Sequence, residues 1–365
     1  MSETCVALLG RRDEPTDAIE EYCVWLGRAL APLGISLELS RVPWARKGWR
    51  SALADLRKHA PKWSGRWIFV QYTALAWSAR GFPTNVPRLL RMLRKAKARC
   101  AVVFHDADAY SGSRPVDRLR RASQLRVMRS LCELAERVVL TVPVEKLAWL
   151  PRNLTKAAFI PVGANLPEPP GELLREPRPA GAPPSVAVFG VTGGPSLERE
   201  AADIAFAVNR AAASLPGGLR LVVLGRNSEE ARPALERALD RSRVALETPG
   251  ILPAPGVVRA LATADVFLFA RGPLSSRRGS AIAGIVCGLP LVAYEGPETA
   301  PPVTEAGVLL APAGNREALA AALERVLKDE TLRASLGERS RSAAKRHFAW
   351  PVIAQRYAEL IRSGG

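Results

Sequence analysis

Residues 265–294 read DVFLFARGPLSSRRGSAIAGIVCGLPLVAY, and this stretch decides the fold. VFLFA (266–270) is a short, unbroken apolar run, the pattern of a strand covered by helices on both faces. A loop of Gly, Ser and Arg follows, then a helix of small residues, a CGLP turn and a second apolar run, LVAY (291–294). Strand, helix and strand within about thirty residues make a βαβ unit and therefore a parallel sheet.

The same rhythm extends in both directions. SVAVFG (185–190), LRLVVLG (219–225), VALETPG (244–250) and VLLAP (308–312) read as further strands of one domain. VALLG (6–10), ISLEL (35–39), RWIFVQY (66–72), ARCAVVFHD (98–106), RVVLTV (137–142) and AAFIPVG (157–163) read as the strands of another. Between the two sets lies NLPEPPGELLREPRPAGAPP (165–184), whose seven prolines remove backbone donors and forbid a helix interior. The chain has 365 residues, beyond the roughly 250–300 at which one core stops growing. The expected class is α/β with two Rossmann-like, doubly wound domains facing across a cleft. The expected boundaries are an N-terminal domain at 1–164, a linker at 165–184, a C-terminal domain at 185–346 and a final helix at 347–365. Ligands of such sheets bind at the carboxyl ends of the strands.

Composition narrows the function. Hydrophobic residues at 48% and charged residues at 24% exclude a disordered chain. No apolar run reaches the eighteen or so residues that a membrane span needs. The N-terminus lacks the pattern of a secretion signal. Five cysteines without a CxxC pair imply neither a disulfide framework nor a zinc knuckle, so a reduced, cytoplasmic protein is expected. The net charge of +17 is uneven: residues 1–170 hold 28 basic and 15 acidic side chains, against 24 and 20 in the remainder. The first half therefore faces something anionic: nucleic acid, an acidic lipid surface or a phosphorylated substrate. Two segments concentrate that charge, RVPWARKGWRSALADLRKHAPKWSGRW (41–67) and NVPRLLRMLRKAKAR (85–99). Tryptophan among basic residues suits lipid headgroups or stacked single-stranded bases, while the plainer reading is a solvated helix face over core tryptophans.

The candidate chemistry lies at strand ends. Arg277, Arg278, Gly279 and Ser280 open the helix after the 266–270 strand: forked donors, a glycine for close approach and a capping hydroxyl. FGVTGGPS (189–196) offers Thr192 and Gly193 after another strand, and GRN (225–227) offers Arg226. Convergence of these loops would build a diphosphate site. His105 and Asp106 follow the strand at 98–104 and are the catalytic candidates; the plain reading of the histidine is a hydrogen bond to a loop carbonyl. With only three histidines, at 59, 105 and 347, no metal pattern emerges.

Taken together, FIPVGANLP (159–167), VAVFG (186–190), LVVLG (221–225), the helix and strand at 250–270, CGLPLVAY (287–294), EAGVLLAPAGNREALAAALERVLKDETLRASLG (305–337) and HFAWPVIAQRYAEL (347–360) resemble the group 1 GT-B glycosyltransferases. The resemblance implies a nucleotide-sugar donor such as a UDP- or GDP-sugar in the second domain, with no bound cofactor or metal. It implies an acceptor hydroxyl, on a glycan, a lipid-linked glycan or a small molecule, in the first domain, and retention of configuration. It places His105 on the sugar side of the cleft, and the final helix crosses back to the first domain. Polysaccharide synthesis, peripheral contact with the inner face of an anionic membrane and no nucleic-acid partner belong to the same expectation. Two features depart from the family. Ser275 and Ala283 stand where it usually carries a glutamate pair, and Val191 stands where it carries an arginine, with Arg199 as the nearest substitute. The alternative is a non-catalytic scaffold acting as a partner subunit or anionic-surface module.

Overall fold

The computed structural model describes residues 3–151, 154–171 and 181–363. Two compact units emerge, one of Met1–Pro161 with Trp350–Gly365, the other of Val162–Ala349. The middle of the proline-rich stretch, 172–180, lies outside the described residues.

In the first unit β1 (Glu3–Leu9), β2 (Ile35–Arg41), β3 (Trp67–Tyr72), β4 (Arg99–Phe104), β5 (Arg137–Leu140) and β6 (Ala157–Phe159) form one parallel sheet in the order β2-β1-β3-β4-β5-β6. Every residue of β3 is buried, whereas the edge strand β2 alternates between covered and exposed positions. That contrast is the one expected between a central and an edge strand. The helix Ala18–Leu30 starts where Asp17 accepts from the N–H groups of Ile19 and Glu20, a side-chain cap on the helix's free donors. The helix Trp350–Arg362 belongs to this unit: Tyr357 and Tyr22 share a hydroxyl hydrogen bond of 2.9 Å, and Trp67 Nε1 donates to the Ile361 carbonyl.

The tryptophans of 41–67 serve the core. Trp44 is buried, donates from Nε1 to the Ala76 carbonyl at 2.9 Å and stacks on Trp49, with ring centroids 5.6 Å apart. Trp49 stacks in turn on the buried Trp77. The helix Val86–Lys95 buries Leu89, Leu90 and Leu93 and exposes Arg88, Arg91, Arg94 and Lys95. Its charge is a solvated face over an apolar one. Among the described residues no helix is long and apolar enough to cross a membrane.

The second unit repeats the architecture. β7 (Ser185–Phe189), β8 (Leu219–Leu224), β9 (Val244–Gly250), β10 (Val266–Pro273), β11 (Leu291–Tyr294) and β12 (Val308–Ala311) run parallel in the order β12-β11-β10-β7-β8-β9. The order reverses between β7 and β10, so their carboxyl ends diverge into loops on opposite faces and leave a crevice. The helix Gly279–Val286 lies unusually close to β10, because a Cβ on Gly284 would stand 2.8 Å from Phe267 Cγ. In a helix interior Gly→Ala ordinarily stabilises by about 0.5–1 kcal/mol. Gly284→Ala is expected to reverse that sign and destabilise by about 1–3 kcal/mol, read by urea denaturation, through overpacking against Phe267.

Candidate functional site

On one side of the crevice between β7 and β10, backbone bonds tie the loops after β7 and β8 before any side chain enters. Gly190, with φ 76°, donates to Leu224, and Val191 donates to Arg226 at 3.0 Å. Asn227, itself at φ 60°, returns a side-chain bond to the Val191 carbonyl at 2.9 Å. The loops after β7 and β8 are thereby held together, and Gly193 passes so close to Asn227 that a Cβ would meet its Nδ2 at 2.9 Å.

Arg271 reaches this crevice through an irregularity in β10. Phe269 pairs with Ala293 and Pro273 with Tyr294, so residues 270–272 stand outside the regular ladder. Such bulges re-aim a side chain. Here the Arg271 guanidinium comes over Gly190, where a Cβ would lie 3.1 Å from it. Glu200, in the first turn of the helix Leu197–Ala213, faces inward and is only 5% exposed. One of its oxygens accepts from the Thr192 N–H at 2.9 Å, and the other is buried without a hydrogen-bond partner among the described residues. Burial raises the Glu200 pKa, outweighing the Thr192 bonds and the charges of Arg271 and Arg278. Burial lowers Arg271, with Arg226 adding to that effect and Glu200 opposing it. Burial, together with the neighbouring charge of Arg277, brings Arg278 down to about 10, so it keeps its proton at neutral pH.

The two adjacent arginines have different tasks. Arg277 makes a two-pronged ion pair with Glu298, at 2.7 and 2.9 Å, and holds that carboxyl below its usual range despite the opposing effect of burial. Arg278 has its Nε buried with no acceptor among the described residues. The loop carrying both is pinned by Val162, whose N–H donates to the Ser276 carbonyl at 3.1 Å. Immediately beyond, the first helical bond is the one Ile282 donates to Arg278, which leaves the N–H groups of Gly279, Ser280 and Ala281 ahead of it at the positive end of the helix. A buried donor without a partner costs about 1–3 kcal/mol. An anion in this crevice would satisfy such donors, and its charge would offset the mutual repulsion of Arg226, Arg271 and Arg278.

Thr192, Gly193, Arg226, Arg278, Gly279 and Ser280 thus lie on the strand-end loops around the β7–β10 crevice. Arg277 is turned to Glu298, and Arg199 is exposed, one helix position away from the inward-facing Glu200. Ser275 and Ala283 are both buried. Arg271, Glu200 and Glu298 were not anticipated from the sequence. Glu200 left a signal there: it sits three residues after Leu197 and four before Ile204, on the helix's apolar face.

In the first unit His105 follows β4. Its Nε2 lies 2.8 Å from Gln71 Oε1, and Gln71 spends its own amide donor on the Phe69 carbonyl, so the histidine donates from Nε2. The Tyr22 ring stands edge-on at 5.3 Å. Burial lowers the His105 pKa to about 4, with the charge of Asp17 opposing, and the ring is neutral at pH 7. Asp106 accepts the Ala74 N–H at 2.7 Å and so anchors the short helix Ala74–Trp77.

Comparison with known proteins places this geometry. Residues 188–329 match the family described as glycosyl transferases group 1. No curated protein sequence matches the chain. Among solved structures, the sucrose-phosphate synthase of Thermosynechococcus elongatus is similar at 20% identity and a TM-score of 0.68, over 99% of this chain and 98% of that one. WaaG, a glycosyltransferase involved in lipopolysaccharide biosynthesis, is similar at 15% identity and 0.64, over 99% and 100%. An E. coli structure titled trehalose-6-phosphate and bound with UDP-2-fluoro glucose is similar at 13% and 0.61, over 99% of each chain. At these identities the structural likeness is one of fold.

The depressed pKa of His105 has a measurable consequence. Between the ordinary value near 6.5 and about 4, the unfolded chain binds a proton that the folded ring refuses, so stability falls as pH drops through that window. Wild type is expected to lose about 2 kcal/mol from this group between pH 7 and pH 5, and His105→Gln is expected to lack that component, both read by urea denaturation at the two pH values.

Proposed function

We propose that the protein is a glycosyltransferase whose second unit, matched over residues 188–329 by the group 1 glycosyl transferase family, binds a nucleotide-sugar through the diphosphate. One observation carries this reading: Arg278 and Arg271 are both withdrawn from water at the β7–β10 crevice, and the Arg278 Nε is buried without an acceptor among the described residues. A diphosphate has the charge and the acceptor oxygens that this set lacks. The helix amides at Gly279 and Ser280 add donors at the same end.

The reaction follows from that binding. The bond between the sugar's anomeric carbon and the diphosphate oxygen breaks, and the acceptor hydroxyl forms the new bond with loss of its proton. Negative charge grows on the departing diphosphate, and fixed guanidinium groups and amide dipoles stabilise it more in the transition state than in the ground state. Arg277 acts one step removed, since its pair with Glu298 sets the position of the loop that carries Arg278. Glu200 holds the Thr192 turn and limits the repulsion among the arginines. The first unit takes the acceptor: neutral His105 orients the sugar or shapes the acceptor side, and Asp106 fixes the neighbouring helix. Retention of configuration and a glycan, lipid-linked or small-molecule acceptor hydroxyl are carried by the family resemblance. A scaffold that binds nucleotide without turnover is the second reading, favoured by Ser275 and Ala283 standing where the family carries carboxylates.

Thermal melting with a panel of nucleoside diphosphates and their sugars is expected to show stabilisation by one base, since a ligand of the native state raises its melting temperature. Arg278→Ala should weaken that nucleotide by about tenfold or more, the worth of a charge-assisted hydrogen bond, while the exposed Arg199→Ala should change it less than about twofold. Product formation with the stabilising sugar donor separates the enzyme from the scaffold. A panel in which nothing shifts the melting temperature overturns the reading.

A further inference from the structure

A donor and an acceptor, both buried, stand unpartnered at the β7–β10 crevice. Arg278 Nε has no acceptor and Glu200 Oε1 has no donor among the described residues. The two do not satisfy each other. No ion pair or hydrogen bond among the described residues joins Glu200 to Arg278 or to Arg271, although the charges of both arginines act on it. An ionised diphosphate answers only half of this need. Its oxygens accept and never donate, so they suit Arg278 and leave Glu200 Oε1 as it was.

Charge balance points the same way. Arg277 is matched by Glu298, whereas Arg271 and Arg278 form no ion pair among the described residues. The diphosphate of a nucleotide-sugar carries one negative charge on each phosphate, so it cancels these two guanidinium groups. An ionised Glu200 beside them is then a buried charge in excess. Burying such a charge is costly, and a carboxyl in that position takes up a proton instead.

The groups facing Glu200 offer no other compensation. The loop after β7 contributes the uncharged Thr192, whose N–H donates to Oε2 at 2.9 Å. Strand β10 contributes Arg271, and the helix Gly279–Val286 contributes Arg278 at its start. Arg226, on the loop after β8, bears on Arg271. On the helix of Glu200 itself, Asp203 accepts from the Tyr294 hydroxyl at 3.1 Å, Glu198 pairs with Arg237 at 3.1 Å and Arg199 is exposed. Burial already raises the Glu200 pKa against the Thr192 bonds and the charges of Arg271 and Arg278. An anion held by those arginines cancels the charges that oppose the rise.

We propose that Glu200 binds the donor diphosphate as a neutral acid: as the crevice fills, Oε1 takes one proton from solvent and donates a hydrogen bond to a phosphate oxygen, while Oε2 keeps the Thr192 amide. This rests on the diphosphate reading above and adds a proton to it. The bound form then holds a proton that the free form lacks, so affinity rises as pH falls.

Isothermal titration of the full chain with UDP-glucose, GDP-mannose and ADP-glucose tests it at pH 6 and pH 8, where the diphosphate of each stays fully ionised. The one that binds is expected to bind at least about threefold more tightly at pH 6. Titration in HEPES and in Tris, buffers of unlike ionisation heat, is expected to show uptake of about half a proton or more. Glu200→Gln keeps an acceptor for Thr192 and carries a permanent N–H donor in place of the proton. It should bind at pH 8 at least as tightly as wild type, change less than about twofold between the two pH values and take up no proton. Melting curves establish that the variant folds, and the wild-type proton count needs no variant. Binding without proton uptake overturns the proposal and leaves the diphosphate reading standing. So does uptake that persists in Glu200→Gln, or binding by that variant that is weaker at both pH values, the mark of an ionised carboxylate on a ligand hydroxyl. No binding by any of the three overturns the diphosphate reading and this proposal together.

Discussion

The desolvation of positive charge at the end of β10 is the constraint on which the second unit turns. Guanidinium groups withdrawn from water are tolerated only where the structure supplies acceptors or a ligand does. For Arg277 the structure supplies one, Glu298. For Arg271 it supplies Glu200, which also holds the Thr192 turn, and for Arg278 it supplies the through-space charges of Glu298 and Glu200 but no acceptor at Nε among the described residues. That imbalance is stable because the crevice is built from backbone: the Gly190–Leu224 and Val191–Arg226 bonds and the bulge at 270–272 fix the guanidinium groups however unfavourable their company. On the proposed function, a transition state that gains negative charge would benefit from donors that need not move.

The first unit uses the same topology for a different purpose. Its strand ends carry a neutral histidine, a tyrosine pair and acids engaged in capping and ion pairs, with hardly any charge free inside. Its positive excess lies outside, on the helices Trp44–His59 and Val86–Lys95 and at the start of Pro115–Leu134. Burying a phosphate requires arginines held at fixed positions, whereas attraction of an anionic surface needs only exposed ones.

Several features were legible before any coordinates. The short apolar runs gave the twelve strands found among the described residues: central strands such as β3 are covered on both faces and lack polar alternation, while the edge strands β2 and β9 keep it. The helix start near Arg277–Ser280 was visible from its glycine and paired arginines, although Arg278 and not Ser280 holds the cap position, with no side-chain cap bond, because the helix already begins at Gly279. Tryptophan among basic residues was ambiguous, because side chains such as Trp44 and Trp49 stack inward while arginines on the same helix point out, and a linear string shows both together. Arg199 and Glu200 show the same limit: one step along a helix is about 100°, enough to send one residue to water and its neighbour to the crevice.

By itself, then, the sequence determined two parallel α/β sheets and the place of the arginine-rich loop that opens the helix after β10, because period and turn residues are local properties. Only the tertiary structure decided which charges act. Arg278 and not Arg277 keeps a buried Nε without an acceptor among the described residues, because Glu298, twenty-odd residues away in the chain, gives its hydrogen bonds to Arg277. Arg271 enters because a bulge in β10 turns it over Gly190. Charge pairing is settled by distance in space, and distance in space is what strand order imposes.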